Sequence, residues 1–116
     1  MKKLTVGWVG AGFIGQAAHL ERFVNFDDAE VVALAELRPE LRKKVSLSYD
    51  IPENVNSHKE LLENVDCQAV VAIVNRKHTF DVARDVLESG RHLLTEKPMA
   101  QTKADAEQLV NLANKN

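Results

Sequence analysis

Disulfide chemistry is the first thing this sequence excludes. Cys67 is its single cysteine. An internal bridge cannot form, and a lone thiol fits a reducing cytoplasm. No apolar run approaches the length that spans a bilayer. The start Met-Lys-Lys is basic, but the apolar stretch behind it is broken by glycines, which argues against a signal peptide. Fifteen basic and seventeen acidic residues leave a net charge of −2. Such a balance gives no basic surface for nucleic acid. Repeats and low-complexity segments are missing as well. With 45% hydrophobic and 28% charged residues in 116, the chain reads as one globular domain, residues 1–116, with its own core.

The sequence does hold a short apolar run, Leu4 to Val9, that opens into Gly10-x-Gly12-x-x-Gly15. Gly10 allows a tight turn out of a strand. Gly12 carries no Cβ, so an anionic group can approach the backbone, and Gly15 lets the next helix pack on the strand. The free N–H groups and the dipole of that helix make an anion site. Glycines also mark ordinary turns. The context favours a dinucleotide loop, because a strand precedes the glycines, a helix follows, and an acid lies at the expected distance. The loop residues Phe13 and Ile14 join the three glycines as expected cofactor contacts.

Further strands are read at Ala29–Ala35, near Val55, at Gln68–Val74 and at Arg91–Thr95. Helices are read at Phe13–Val24, Pro39–Leu47, after the capping box Ser57–Glu60, from His78 to Ser89, and after Thr102. Alternation of apolar runs with helical patterns predicts an α/β fold: a doubly wound, mostly parallel five-stranded sheet with helices on both faces. Glu36 ends the second strand, 21 residues after Gly15, where such a fold places the carboxylate for the adenosine ribose. A carboxylate there repels a 2′-phosphate, so NAD is favoured. Arg38 leaves NADP open, because a guanidinium can pair with a 2′-phosphate, stack on adenine or simply be solvated. Arg42-Lys43-Lys44 is read as a solvated face, and His19 as a partly exposed histidine. No metal site is expected. Asn75 and His78 follow the fourth strand on the ligand-facing edge. Pro98 cannot continue a central ladder, so Glu96 and Lys97 fall on the same rim.

The glycine loop, Val31 to Glu36, His78 and above all Gly90-Arg-His-Leu-Leu-Thr-Glu-Lys-Pro-Met-Ala100 resemble the Gfo/Idh/MocA oxidoreductases. The resemblance covers the whole chain. It implies that Gly10, Gly12 and Gly15 hold the pyrophosphate and that Glu36 binds the ribose. It further implies that Glu96 contacts the nicotinamide side, and that Lys97, behind an often cis Lys–Pro bond, assists proton transfer. Ile73-Val74 departs from the family's usual Thr-Pro. Members of the family are about three times longer and carry a second domain with the substrate pocket. The expectation is therefore a fragment that binds cofactor without turnover, from an enzyme moving hydride between NAD(P) and a hydroxyl-bearing carbon of a sugar or polyol. A stand-alone dinucleotide sensor is the alternative. The exposed sheet edge predicts a homo-oligomer.

Overall fold

Five short strands, all parallel, lie in the order β3-β2-β1-β4-β5. The computed structural model describes residues 2–12 and 15–116. The strands are β1 (Leu4–Val9), β2 (Ala29–Ala35), β3 (Glu53–Val55), β4 (Ala69–Ala72) and β5 (His92–Thr95). β1 sits in the centre and pairs with β2 and β4. The chain winds outward from β1 to β3, then returns to the other side of β1 for β4 and β5. That reversal leaves a crevice outside the carboxyl ends of β1 and β4.

Parallel strands need crossovers, and these cover both faces of the sheet. A π-helical segment, Gly15–Leu20, runs into the single turn α1 (Glu21–Phe23); α2 is Pro39–Ser48, with its proline in the first turn. These pack one face, where Trp8, Leu20, Leu34, Val45 and Val71 form the core. The helices α3 (His58–Asn64) and α4 (Arg76–Glu88) cover the other face over Ala33, Leu61, Val70, Ala72, Val82 and Val86. The last helix, α5 (Lys103–Lys115), packs on α4 through Ala83, Leu87 and Leu109. Among the described residues no helix is long and apolar enough to cross a membrane.

Three local expectations need correction. Of the helix read over Phe13–Val24, the described part begins as a π-helix, Gly15–Leu20; Phe13 and Ile14 lie outside the described residues. Its i→i+5 bonding breaks the 3.6-residue stripe, so Ala18 is exposed while Leu20 is fully buried. The 3.6-residue repeat after Thr102 predicts one inward face of Ala106, Leu109, Val110 and Ala113, but Val110 and Ala113 are exposed in α5. This helix packs on α4, and Leu109 is its one buried residue. Arg42 is not a solvated cation. Its guanidinium donates to the Glu36 carbonyl at 2.9 Å and to the side-chain oxygens of Asn54 and Asn56, tying α2 to the ends of β2 and β3.

Candidate functional site

A cleft of about 780 Å³ opens along the carboxyl edge of the sheet. Gly10, Ala11 and Gly12 form its floor. Glu36, Leu37 and Arg38 close one side, Asn56 to Lys59 the far end, and Ile73, Val74, Asn75, His78, Asp81 and Arg84 the opposite wall. The two glycines behave differently. Gly10 has φ +99°, and a Cβ there would strike the carbonyl of Ile73, so the fold itself requires glycine. A Cβ on Gly12 would meet nothing within 4 Å among the described residues. Gly12 thus makes no close packing contact among the described residues, yet it lines the cleft.

Glu36 is the most buried acid of the site, at 7% exposure. Its backbone N–H donates to Val55 O, and Gly10 N–H donates to Ala35 O, so the ends of β1, β2 and β3 are locked together. Its Oε1 accepts from Ala11 N–H at 2.9 Å, which brings the acid and the glycine loop into one unit. Arg38 lays a fork on the same carboxylate, with Nε at 3.0 Å from Oε2 and Nη2 at 3.1 Å from Oε1; Arg38 N–H donates to Oε2 at 2.9 Å. Burial pushes the Glu36 carboxyl up, but these hydrogen bonds outweigh it and hold the group below the usual carboxylate range. The same contacts raise the Arg38 guanidinium.

Across the cleft, Asn75 caps α4: its side-chain oxygen accepts from Lys77 N–H at 3.0 Å. His78 stands exposed in the first turn. At the far end His58 Nε2 lies 2.8 Å from Asp85 Oδ2 and joins α3 to α4. Burial raises the Asp85 carboxyl, while His58 and Arg84 pull it further down, below its ordinary value. No sequence signal assigned His58 a role, since its partner lies 27 residues away.

Glu96 and Lys97 stand apart from this lining. They follow β5, exposed, with Lys97–Pro98 in the cis form. Glu96 Oε2 lies 2.8 Å from Nε2 of His19, and its Oε1 accepts from Lys97 N–H at 3.3 Å. His19, read from the sequence as a surface residue, is therefore the link between the segment behind the glycine loop and the Glu96-Lys97 turn. The structure brings Gly10, Gly12, Glu36, Arg38, Asn75 and His78 to one cleft. Glu96 and Lys97 lie beside it on the rim. Phe13 and Ile14 lie outside the described residues.

Residues 4–116 match the Gfo/Idh/MocA profile, an oxidoreductase family with an NAD-binding Rossmann fold. An inositol 2-dehydrogenase of Salmonella typhimurium is 30% identical over 97% of this chain and 34% of its own length. A glycosyl hydrolase family 109 protein of Bacteroides fragilis is 30% identical over 95% of this chain and 25% of its own length. A 3-ketoreductase from Actinomadura kijaniata, crystallised with NADP and TDP-benzene, superposes with a TM-score of 0.91 at 26% identity, covering 98% of this chain and 35% of that one. The WlbA dehydrogenase of Bordetella pertussis, crystallised with NADH and UDP-GlcNAcA, gives 0.90 at 25% identity, covering 98% and 33%. The chain thus spans about a quarter to a third of the length of these relatives.

Proposed function

The chain belongs to the Gfo/Idh/MocA oxidoreductase family as its NAD(P)-binding Rossmann domain, and from this premise we propose that it serves a dehydrogenase acting on a hydroxyl-bearing carbon of a sugar or polyol. The observation that carries this reading is the hydrogen bond from Ala11 N–H to the buried carboxylate of Glu36. It joins a glycine loop and an acid in one cleft, the donor and acceptor set that a dinucleotide needs. The residues fit the cofactor: Gly12 is open to the cleft, and Glu36 stays ionised there.

In this reading the backbone at Gly10, Gly12 and Gly15 receives the pyrophosphate, and Glu36 accepts from the adenosine ribose. Asn75 and His78 line the wall along which the cofactor lies. Bound nicotinamide supplies the hydride chemistry. Glu96 holds the nicotinamide side, and Lys97 gives or takes the proton of the substrate hydroxyl. These 116 residues by themselves bind cofactor without turning substrate over. Leu94 in the edge strand β5 and Val110 in α5 are each 47% exposed, and the chain uses this apolar surface to pair with a copy of itself.

A second reading draws on the match to a glycosyl hydrolase. There the same domain serves a protein that cleaves a glycosidic bond, and a glycoside, not a free polyol, is the substrate of the full-length protein.

Titration calorimetry with NAD and NADP tests the proposal. Binding is expected in the micromolar to millimolar range, and Gly12→Val should abolish it while leaving the circular dichroism spectrum unchanged. A folded chain that binds neither cofactor would sink the reading.

A further inference from the structure

Beyond Thr95, the turn that carries Lys97 has little to hold it. Thr95 Oγ1 donates to Ala72 O at 3.0 Å, which fixes the end of β5 to β4. Past that point, the Glu96 carboxylate makes the turn's one hydrogen bond to another element among the described residues, and its partner is His19. Glu96 Oε2 takes Nε2 of His19 at 2.8 Å, and Oε1 takes Lys97 N–H at 3.3 Å. An ionised carboxylate only accepts, so Nε2 carries the proton and donates. The Lys97 ammonium makes no hydrogen bond or ion pair among the described residues, so its direction depends on the backbone of the turn. The His19 and Glu96 side chains are 29% and 44% exposed, and a pair this open adds little to the stability of a fold. Its placement is more telling. His19 follows Gly15 within one π-helical segment, a kind of turn that recurs at functional sites.

We propose that His19 is a positioning residue: through Glu96 it sets the backbone of the Lys97 turn, and it passes on to that turn the docking of a ligand on the glycine loop. The inference rests on the reading of the cleft as a dinucleotide site with Lys97 at its reacting end. A pyrophosphate seated on the backbone of Gly12 and Gly15 draws on the segment that bears His19. The ring moves with the segment, the carboxylate follows the ring, and the Lys97 amide follows the carboxylate. A proton-transfer group works only from the right place, since about 1 Å of displacement can cost roughly a hundredfold in rate. The relay ties the placement of Lys97 to an occupied loop, along a path that touches neither ribose nor nicotinamide.

ADP is the probe. It brings a diphosphate to the loop and lacks the nicotinamide half, so it does not reach Lys97 itself. Proton–nitrogen NMR spectra of the 116-residue chain are recorded with and without saturating ADP. In the parent, the Lys97 amide should shift along with that of Gly12. In His19→Ala the Gly12 shift should remain, and most of the Lys97 shift should vanish. ADP affinity should stay within about threefold, less than the loss of one charged hydrogen bond. His19→Gln should restore the Lys97 response, because its side-chain amide also donates to a carboxylate. Should His19→Ala lose its fold, Glu96→Ala removes the other end of the pair and must silence Lys97 equally. A Lys97 amide that stays still in the ADP-bound parent overturns the inference and leaves the cofactor reading standing. So does one that shifts as far without His19 or Glu96 as with them, or one that His19→Gln does not restore. If the folded parent binds neither ADP, nor NAD, nor NADP, both fall together.

Discussion

Nε2 of His19 lies 2.8 Å from Oε2 of Glu96 and bridges 77 residues of chain. One end of the bridge follows the glycine loop; the other precedes Lys97. The hydrogen bond from His19, with a smaller contribution from Lys97 N–H, holds the Glu96 carboxyl below the usual carboxylate range. The pair is therefore intact above that range, and it breaks as pH falls through the lowered value of the folded chain. Replacing His19 with Ala should move the Glu96 midpoint up toward the ordinary glutamate value. A carboxyl carbon NMR titration reads this directly, and an unchanged midpoint would show that His19 does not set the state of Glu96.

The two glycines of the cleft should respond differently to alanine. Gly10→Ala forces a Cβ onto the Ile73 carbonyl at a positive φ, so it should destabilise the fold by about 1–3 kcal/mol or more. Gly12→Ala meets no atom within 4 Å among the described residues. Its stability should stay within about 1 kcal/mol of the parent, with a gain possible through reduced unfolded-state entropy. Dinucleotide affinity should nevertheless drop. Urea unfolding alongside calorimetry separates the two effects. Equal destabilisation by both substitutions would contradict the distinction.

Asp85 is another acid whose ionised form the fold favours, through His58 and Arg84. The folded chain keeps this carboxylate charged at lower pH than the unfolded chain does. Its contribution to stability is thus complete at neutral pH and disappears as pH falls through the lowered value. Asp85→Asn should cost about 1 kcal/mol at neutral pH, less than a fully buried charged hydrogen bond because the pair is partly solvated. The variant should also lose part of the acid sensitivity of unfolding. Parallel acid limbs for parent and variant would refute this.

Arg91 carries a structural load without any link to the cleft. Its Nε donates to Cys67 O, and its Nη2 to Leu62 O and Val65 O, at 2.9–3.1 Å. These carbonyls line the turn between α3 and β4. Arg91→Ala orphans three acceptors and should cost about 2–3 kcal/mol. Arg91→Lys should rescue only a fraction, since one ammonium cannot reach all three. Full rescue by lysine in chemical denaturation would mean that charge, not the fork, matters.

Much of this architecture was legible in the sequence, for identifiable reasons. Apolar runs such as Val31–Ala35 and Val70–Ala72 have no other stable place than a sheet covered on both sides. Ser57 and Thr102 announce helix starts, and the side chain of each accepts from the third residue of its helix, Glu60 and Asp105. Gly10, Gly12 and Glu36 stood out by spacing and converge in the cleft. What stayed hidden were contacts between distant segments: His19 with Glu96, His58 with Asp85, Arg42 with Asn54 and Asn56. A polar side chain carries no local mark of the partner that it will meet after folding. Arg38 was visible as a cation, but the fork that it lays on Glu36 was not, because sequence spacing does not reveal a rotamer. The π-helical turn escaped as well, since the same residue types suit an α-helix.

The central position of β1 has a consequence for the order of events in folding. Its partner β2 arrives from 25 residues downstream, but its other neighbour β4 pairs Val6 with Ala69, 63 residues away. Loop-closure entropy makes the nearer pairing the easier one to form first. The cleft lies at the seam where β4 joins β1, so its opposite wall exists only after the long-range ladder has closed. A nucleotide therefore has nothing complete to bind until the last large step of folding. Its presence should slow unfolding far more than it hastens folding.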